Sequence, residues 1–241
     1  MTPIKLVILG ANGQVGYELQ RSLLPLGEVI ALDRIQGDLI QLDKLKQTLL
    51  NLKPNVIINA AAYTAVDKAE EEQDLAMLIN GKAPGVITDA AKQLDALLIH
   101  YSTDYVFDGT KTTPYTGDDI PNLINVYGKT KLAGEKAIKE INCDYLILRT
   151  TWAYAARGNN FLKAMLRLAK EREELNIVAD QFGTPTWARN IADATAHIIA
   201  TAQKERKESE FDSGLYHLSA SGKATWHSFA TAKLNNLLQQ A

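Results

Sequence analysis

The sequence holds a single cysteine, Cys143, in 241 residues. One thiol excludes an intrachain disulfide and a thiolate-based zinc site, and it fits a reducing compartment. A basic surplus is missing too: 26 Lys and Arg stand against 28 Asp and Glu, a formal net charge of −2. The signs are interleaved, so the phosphate-neutralising stripe of a nucleic-acid binder is not expected. No segment approaches the roughly 18 uninterrupted apolar residues of a membrane span. The opening M-T-P-I-K-L-V-I-L-G is too short for a signal-peptide core and is broken by Lys5. Internal repeats and low-complexity tracts are absent. The expectation is a cytoplasmic globular protein with neither nucleic acid nor membrane as partner.

What is present is ordinary globular composition, 46% hydrophobic and 22% charged, in a chain long enough for one large α/β unit or a core with a smaller appendage. Short apolar runs recur at Ile4 to Leu9, Glu28 to Asp33, Asn55 to Asn59, Ala96 to Ser102 and Asp144 to Arg149. Each is apolar on both faces, as strands of a parallel sheet covered by helices must be. Helical period appears between them: Val15, Leu19 and Leu23; Leu42, Leu45 and Leu49; Ala76, Ile79 and Ile87; and a helix from near Val126 to near Ile141. The alternation predicts a doubly wound α/β fold over residues 1–149.

Beyond Thr150 the rhythm changes, and residues 150–241 are expected to form a smaller part interleaved with the core. A Gly- and Asn-rich loop precedes a helix from about Asn160 to Arg172, then a turn-rich D-Q-F-G-T-P-T-W, then a helix from about Asn190 to Gln203. The charged run K-E-R-K-E-S-E after it reads as a solvated connector. A closing helix near Ser228 to Leu238 carries an apolar stripe at Phe229, Leu234 and Leu238, read as packing.

The first strand runs into G-A-N-G-Q-V-G, with Gly10, Gly13 and Gly16 spaced three apart and a helix opening at once. Such a turn lets the backbone approach a pyrophosphate, whose charge sits on the exposed N–H groups at the helix start. Asp33 closes the second strand near the distance of about 20 residues at which an acidic group meets an adenosine ribose. An aspartate there suits a free 2′-hydroxyl and the adjacent Arg34 suits a 2′-phosphate, so coenzyme choice stays open. The small residues of N-A-A-A-Y-T after the third strand would let a cofactor lie against the backbone; alanines packing a helix give the same string.

The sharpest constellation is Y-G-K-T-K, which sets Tyr127 and Lys131 four apart on one helix face. An unperturbed phenol, with a pKa of about 10, exchanges its proton poorly at neutral pH. A neighbouring cation lowers that value and makes the tyrosine a general acid toward a carbonyl oxygen. Ser102 and Thr103, at the end of the fourth strand, stand where open α/β sheets bind ligands, and either hydroxyl is placed to donate to the same oxygen. A strand-end cap is the other reading.

In order along the chain, the glycine turn, N-A-A-A-Y-T-A-V-D-K-A-E, S-T-D-Y-V-F-D-G, Y-G-K-T-K-L-A-G-E, R-T-T-W-A-Y with G-N-N-F, and D-Q-F-G-T-P-T resemble the extended short-chain dehydrogenase/reductases, and within them the dTDP-4-dehydrorhamnose reductase family. The resemblance covers essentially the whole chain. It implies a Rossmann-type fold and reduction of dTDP-4-dehydro-6-deoxy-L-mannose to dTDP-L-rhamnose with NADPH, NADH often being tolerated. Carried over by motif position, it implies Tyr127 as the acid, Lys131 on the nicotinamide ribose, and Thr103 as the third member of the triad. Gly10, Asn12, Gly13, Gln14, Val15 and Gly16 would hold the pyrophosphate, Asp33 and Arg34 the adenosine ribose, Asp38 and Leu39 the adenine side, and Ala60, Ala61, Ala62 and Tyr63 the cofactor's middle. On the substrate side it implies Asp104, Trp152 with its indole face toward the deoxyhexose methyl, Asn160 and Phe161 near the diphosphate, and Gln181 and Thr186 in a closing loop.

Members of that family usually continue for several dozen residues past the position of Ala241, which reads as a shortened form or a fragment. Some members also use magnesium at a subunit contact. Here the sequence offers Glu18 alone and no carboxylate cluster, so no metal is placed, and pairing as a homodimer is left open. Two rivals share these motifs: a sugar-nucleotide epimerase or dehydratase, and a non-catalytic NADP-binding regulatory subunit. The single carboxylate after Thr103 disfavours a dehydratase, and R-T-T-W-A-Y followed by G-N-N-F favours the reductase over the regulatory subunit. His100, His197, His217 and His227 read as structural or exposed, and Cys143 as a small buried hydrophobe.

Overall fold

In the computed structural model, which describes residues 3–238 and their side chains through residue 232, β1 (Ile4–Leu9) shows why the sheet is buried on both sides. Leu6 and Ile8 pack against Leu19, Leu23, Ile191 and Ile199, while Val7 and Leu9 pack the other way against Leu45, Leu49, Ile87 and Ile138. Successive strand residues alternate between faces, so an all-apolar strand needs a helical layer on each.

Those layers come from α1 (Gln14–Ser22), β2 (Gly27–Leu32), α2 (Leu42–Leu52) and β3 (Val56–Asn59), followed by α3 (Gln73–Ala76), a π-helical segment at Met77–Lys82 and α4 (Ala83–Gln93). The expected third helix is thus interrupted by a wider turn. Then come β4 (Leu97–Thr103), α5 (Val126–Lys139) and β5 (Tyr145–Thr150). The second part has β6 (Ala153–Tyr154), α6 (Phe161–Glu171), β7 (Phe182–Gly183), β8 (Thr186–Trp187), α7 (Ala188–Glu208), β9 (Gly214–His217), β10 (Ala224–Thr225) and α8 (Trp226–Leu238).

Six strands pair in parallel in the order β2-β1-β3-β4-β5-β9. The order reverses between β1 and β3, and the cleft beyond their carboxyl ends is where a ligand is received in such sheets. The second part is woven into the first: β9 extends the sheet beside β5, and Ile191 and Ile199 of α7 help cover β1, β3 and β4. What remains is a small lobe of two short strand pairs with α6 and α8.

One expectation changes. The run after Gln203 is not a solvated connector, because α7 continues through Glu208. Arg206 anchors it, donating from Nε to Asp144 Oδ2 at 2.7 Å and from Nη2 to Asp95 Oδ1 at 3.0 Å, beside the starts of β5 and β4. In the closing helix, Phe229 is buried as expected; the side chains of Leu234 and Leu238 lie outside the described residues.

Candidate active site

The glycine turn lies against the end of β3. Gly10 has φ +85°, and a Cβ there would come within 2.8 Å of the Ala61 nitrogen; one on Gly16 would meet the Gly10 carbonyl oxygen at 2.1 Å. Only glycine satisfies both. Gly13 caps α1 without a side-chain hydrogen bond, and the first turn of α1 has no acid. The N–H groups and dipole at that helix start are therefore available to an anion. This cradle fits a dinucleotide pyrophosphate.

Around it, Ala60, Ala61 and Ala62 are half-buried beside the turn. A residue the sequence did not flag holds them there: buried Asn80 accepts from the Tyr63 N–H at 2.9 Å and donates to the Tyr63 carbonyl at 3.0 Å. The π turn at Met77–Lys82 carries this polar residue at a buried position. Asp33 uses Oδ1 to accept from the N–H groups of Ile35 and Gln36 at 2.8 and 3.1 Å, so the strand-end turn is formed. Arg34 beside it is exposed. Asp38 accepts from Ile40 N at 3.1 Å, and the Leu39 side chain goes into the core rather than toward an adenine.

Thr103 ends β4, and Tyr127 and Lys131 lie on the first turns of α5. The Thr103 hydroxyl accepts from Tyr105 N and donates to Asp104 Oδ1, both at 3.2 Å, and it stands near enough to Tyr127 to lower that phenol's hold on its proton. The Tyr127 and Tyr105 rings meet edge to face at 5.5 Å. Ser102 is excluded from this group. Consecutive strand residues point to opposite faces, and Ser102 Oγ instead donates to buried Glu135 at 2.6 Å.

The expected tuning of Tyr127 by Lys131 is not what the side chains show. Burial pushes the Tyr127 hydroxyl above its ordinary range, Asp104 and Tyr105 push the same way, and only Thr103 offsets them. Lys131 Nζ is turned toward β4, donating to the Tyr101 carbonyl at 2.7 Å and standing 3.4 Å from His100 Nε2. Burial lowers the Lys131 ammonium to about 8, with Glu135 in partial opposition. Asp104 is raised by burial and accepts from the Thr151 hydroxyl at 2.5 Å.

The substrate-side residues divide. Trp152 adopts φ +44°, a left-handed conformation rare for a bulky residue and concentrated at functional sites. Its indole stacks on Trp226 at 3.4 Å, so a face expected for a sugar methyl is occupied by a second tryptophan. Phe161 joins that cluster, 4.3 Å from Trp226. Asn160 caps α6 through Lys163 N at 3.0 Å and spends its amide on Gln14 Oε1 and the Ala155 carbonyl, both at 2.8 Å. It thereby ties the small lobe to the first residue of α1 rather than presenting a free donor. Thr186 is buried, donating to the Thr184 carbonyl at 2.9 Å and accepting from Ala220 N at 3.2 Å; Gln181 is exposed.

Glu18 does not fit a magnesium site. Its carboxylate is engaged by Arg189 Nε at 3.0 Å, and no group of three metal-capable side chains occurs among the described residues. Cys143 is half-buried, its thiol pushed up to about 11 by burial.

The family model described as the RmlD substrate binding domain matches residues 4–241. A protein named dTDP-4-dehydrorhamnose reductase from Burkholderia thailandensis is 55% identical over 229 residues, 95% of this chain and 77% of that protein. The crystal structure of dTDP-4-dehydrorhamnose reductase from Bacillus anthracis in complex with NADP superposes with a TM-score of 0.91 at 37% identity, covering 99% of this chain and 82% of that one. A UDP-glucose 4-epimerase from Brucella ovis, in complex with NAD, shares the fold at a TM-score of 0.76 and 19% identity, over 93% of this chain and 80% of its own.

Proposed function

The chain belongs to the RmlD substrate binding domain family, and from that premise we propose that it is an NADPH-dependent reductase of the 4-keto group of dTDP-4-dehydro-6-deoxy-L-mannose (dTDP-4-dehydro-β-L-rhamnose), giving dTDP-L-rhamnose. The observation that carries this reading is the gathering of Thr103, Tyr127 and Lys131 at the carboxyl end of β4, one strand from Ala61 and two from Gly10 of the glycine cradle. A named relative at 55% identity and an NADP complex of the same fold support it.

In this reading the turn from Gly10 to Gly16 holds the pyrophosphate, exposed Arg34 takes the 2′-phosphate, and Ala60 to Tyr63 line the cofactor's middle. The reduced nicotinamide supplies a hydride to the sugar C4. Tyr127 gives its hydroxyl proton to the C4 oxygen as it becomes an alcohol. Burial strengthens that phenol's hold on its proton, so the transfer is drawn by the negative charge that builds on the C4 oxygen. Thr103, its hydroxyl turned from Asp104, donates to the phenoxide left behind, and Lys131 supplies positive charge from its place against β4. Asp104, Trp152 and Gln181 border the sugar side, with Trp226 backing the Trp152 indole; Asn160, Phe161 and Thr186 shape that side through their packing.

The test is spectrophotometric. The full chain is mixed with enzymatically generated 4-keto dTDP-sugar and either NADPH or NADH, and loss of reduced-nicotinamide absorbance is followed. Stoichiometric oxidation with NADPH favoured is expected. Cofactor binding without oxidation points instead to the non-catalytic NADP-binding reading, and tightly retained NAD with no net oxidation to an epimerase.

A further inference from the structure

Thr151 follows β5 directly and precedes Trp152, whose left-handed φ of +44° turns the chain toward the small lobe. No step above uses it. In the parallel pairing of β4 with β5, Thr103 stands opposite Thr150, so the residues that come next, Asp104 and Thr151, leave the sheet side by side. Their side chains meet. The Thr151 hydroxyl donates to Asp104 Oδ2 at 2.5 Å, and the Thr103 hydroxyl donates to Oδ1 at 3.2 Å. Each carboxylate oxygen thus has a threonine of its own. Burial raises the Asp104 carboxyl, and Thr151 opposes it more strongly than Thr103 does. A desolvated carboxylate stripped of its donors is costly, so whichever hydroxyl stays on Asp104 decides whether the other is free to leave.

We propose that Thr151 is a positioning residue, the donor that stays on Asp104 while the Thr103 hydroxyl turns from the carboxylate to the Tyr127 phenoxide. The effect on turnover rests on the reductase reading; the hold on Asp104 does not. Before the chemistry both threonines donate to Asp104. As Tyr127 gives up its proton, negative charge settles on its oxygen, and Thr103 has a single hydrogen to offer. That hydrogen leaves Oδ1 for the phenoxide. Oδ2 keeps Thr151, so the carboxylate is not stranded. The Tyr105 N–H, 3.2 Å from the Thr103 oxygen, holds that oxygen while the hydroxyl swings about it. Only hydrogen bonds are exchanged, and Thr103 returns to Oδ1 once the phenol is protonated again.

The other groups around Asp104 do not substitute for Thr151. Thr150, its neighbour in β5, has a buried hydroxyl with no hydrogen-bond partner among the described residues. His217 of β9 favours the carboxylate by charge alone, and burial, followed by Arg149, keeps that ring toward its neutral form. Arg149 itself is committed to Glu135 through Nε and Nη2. From α5, Lys131 is turned to the Tyr101 carbonyl. Burial first and Asp104 after it hold the phenols of Tyr105 and Tyr127 protonated.

The test sets Thr151→Val, which keeps the shape and drops the hydroxyl, against Thr151→Ser, which keeps the hydroxyl. Carbon-13 spectra of the aspartate carboxyls are recorded on the intact chain without substrate, the Asp104 resonance being identified by its loss in Asp104→Asn. Its titration midpoint should lie higher in Thr151→Val than in the wild type, because a donor to the charged form is gone, and should return in Thr151→Ser. In the assay with NADPH and 4-keto dTDP-sugar, Thr151→Val should lose about ten- to a hundredfold in kcat, as expected when one hydrogen bond to a charged group goes unmade, with KM for NADPH little changed. Thr151→Ser should recover most of that loss. A threonine that merely ends a strand would lower the melting temperature and move neither reading. An Asp104 midpoint unmoved in Thr151→Val overturns the proposal, as does a raised midpoint with wild-type kcat. Should the valine variant fold poorly, Thr151→Ala is expected to displace both readings in the same direction. A wild-type chain that oxidises no NADPH while the midpoint responds as expected defeats the reductase reading and leaves the hold of Thr151 on Asp104 standing.

Discussion

Arg149 grips Glu135 with two parallel hydrogen bonds, Nε to Oε1 at 2.8 Å and Nη2 to Oε2 at 2.7 Å, and both side chains are almost fully buried. The pair joins β5 to α5, the helix that carries Tyr127 and Lys131. Removing one partner strands a buried charge. Glu135→Gln is expected to cost about 3–5 kcal/mol of unfolding free energy, read from the midpoint of a denaturant titration. A loss below about 1 kcal/mol would show that Arg149 finds another counter-charge.

Tyr127→Phe removes the proton donor and keeps the ring against Tyr105. Turnover is expected to fall by roughly 10²- to 10⁴-fold, while fluorescence titration gives nearly wild-type NADPH affinity. Unchanged turnover would assign the acid elsewhere.

Lys131 carries a pH prediction whose sign follows from its depressed value. The folded group releases its proton near 8, the unfolded one near its ordinary 10.4 or so. Between those limits the unfolded chain binds more protons, so stability rises with pH across that window. Activity runs the other way, lost as the ammonium disappears through the same midpoint. Lys131→Met should abolish the rise in melting temperature between about pH 8 and 10, stabilise the fold at pH 7 by roughly 1–3 kcal/mol, and weaken both cofactor affinity and turnover. A variant with wild-type kinetics would place the lysine outside the machinery.

Because Arg189 already neutralises Glu18, chelation should leave the enzyme unaffected. Exhaustive dialysis against EDTA is expected to change neither kcat nor melting temperature. Activity restored specifically by magnesium after such treatment would contradict that expectation.

Asn80→Ala cuts both bonds to the Tyr63 backbone. The segment beside the glycine turn then loses its tether, and KM for NADPH should rise about tenfold while KM for the sugar changes little. Equal effects on both would mean that the residue supports the whole fold rather than the cofactor side.

The layers of the fold were readable because burial on both faces leaves an unbroken apolar run, as in Leu6 to Leu9, and because glycines at positions 10 and 16 answer a steric demand local to the turn. Thr103, Tyr127 and Lys131 were readable from residue type and spacing. Spacing does not report where an ammonium turns, and Lys131 faces β4 rather than the phenol. Ser102 and Thr103 are equivalent as letters; the pleat separates them. Asn80 acts through a partner 17 positions away, a separation that no local pattern encodes. The charged run after Gln203 looked solvated because Asp95 and Asp144, which hold Arg206, are distant in sequence. The Trp152–Trp226 stack was hidden in the same way.

The covering of the sheet by α7 bears on how this polypeptide can be divided. A piece ending at residue 149 would retain the nucleotide cradle and all three proposed catalytic side chains, yet Leu6, Ile8, Val56, Ile58, Leu97 and Ile99 would lose Ile191, Ala192 and Ile199 from above them. The amino-terminal half is therefore no autonomous module: expressed by itself it would present a broad greasy plane to water and precipitate, and its homologous exchange between relatives would succeed only if α7 travelled with it.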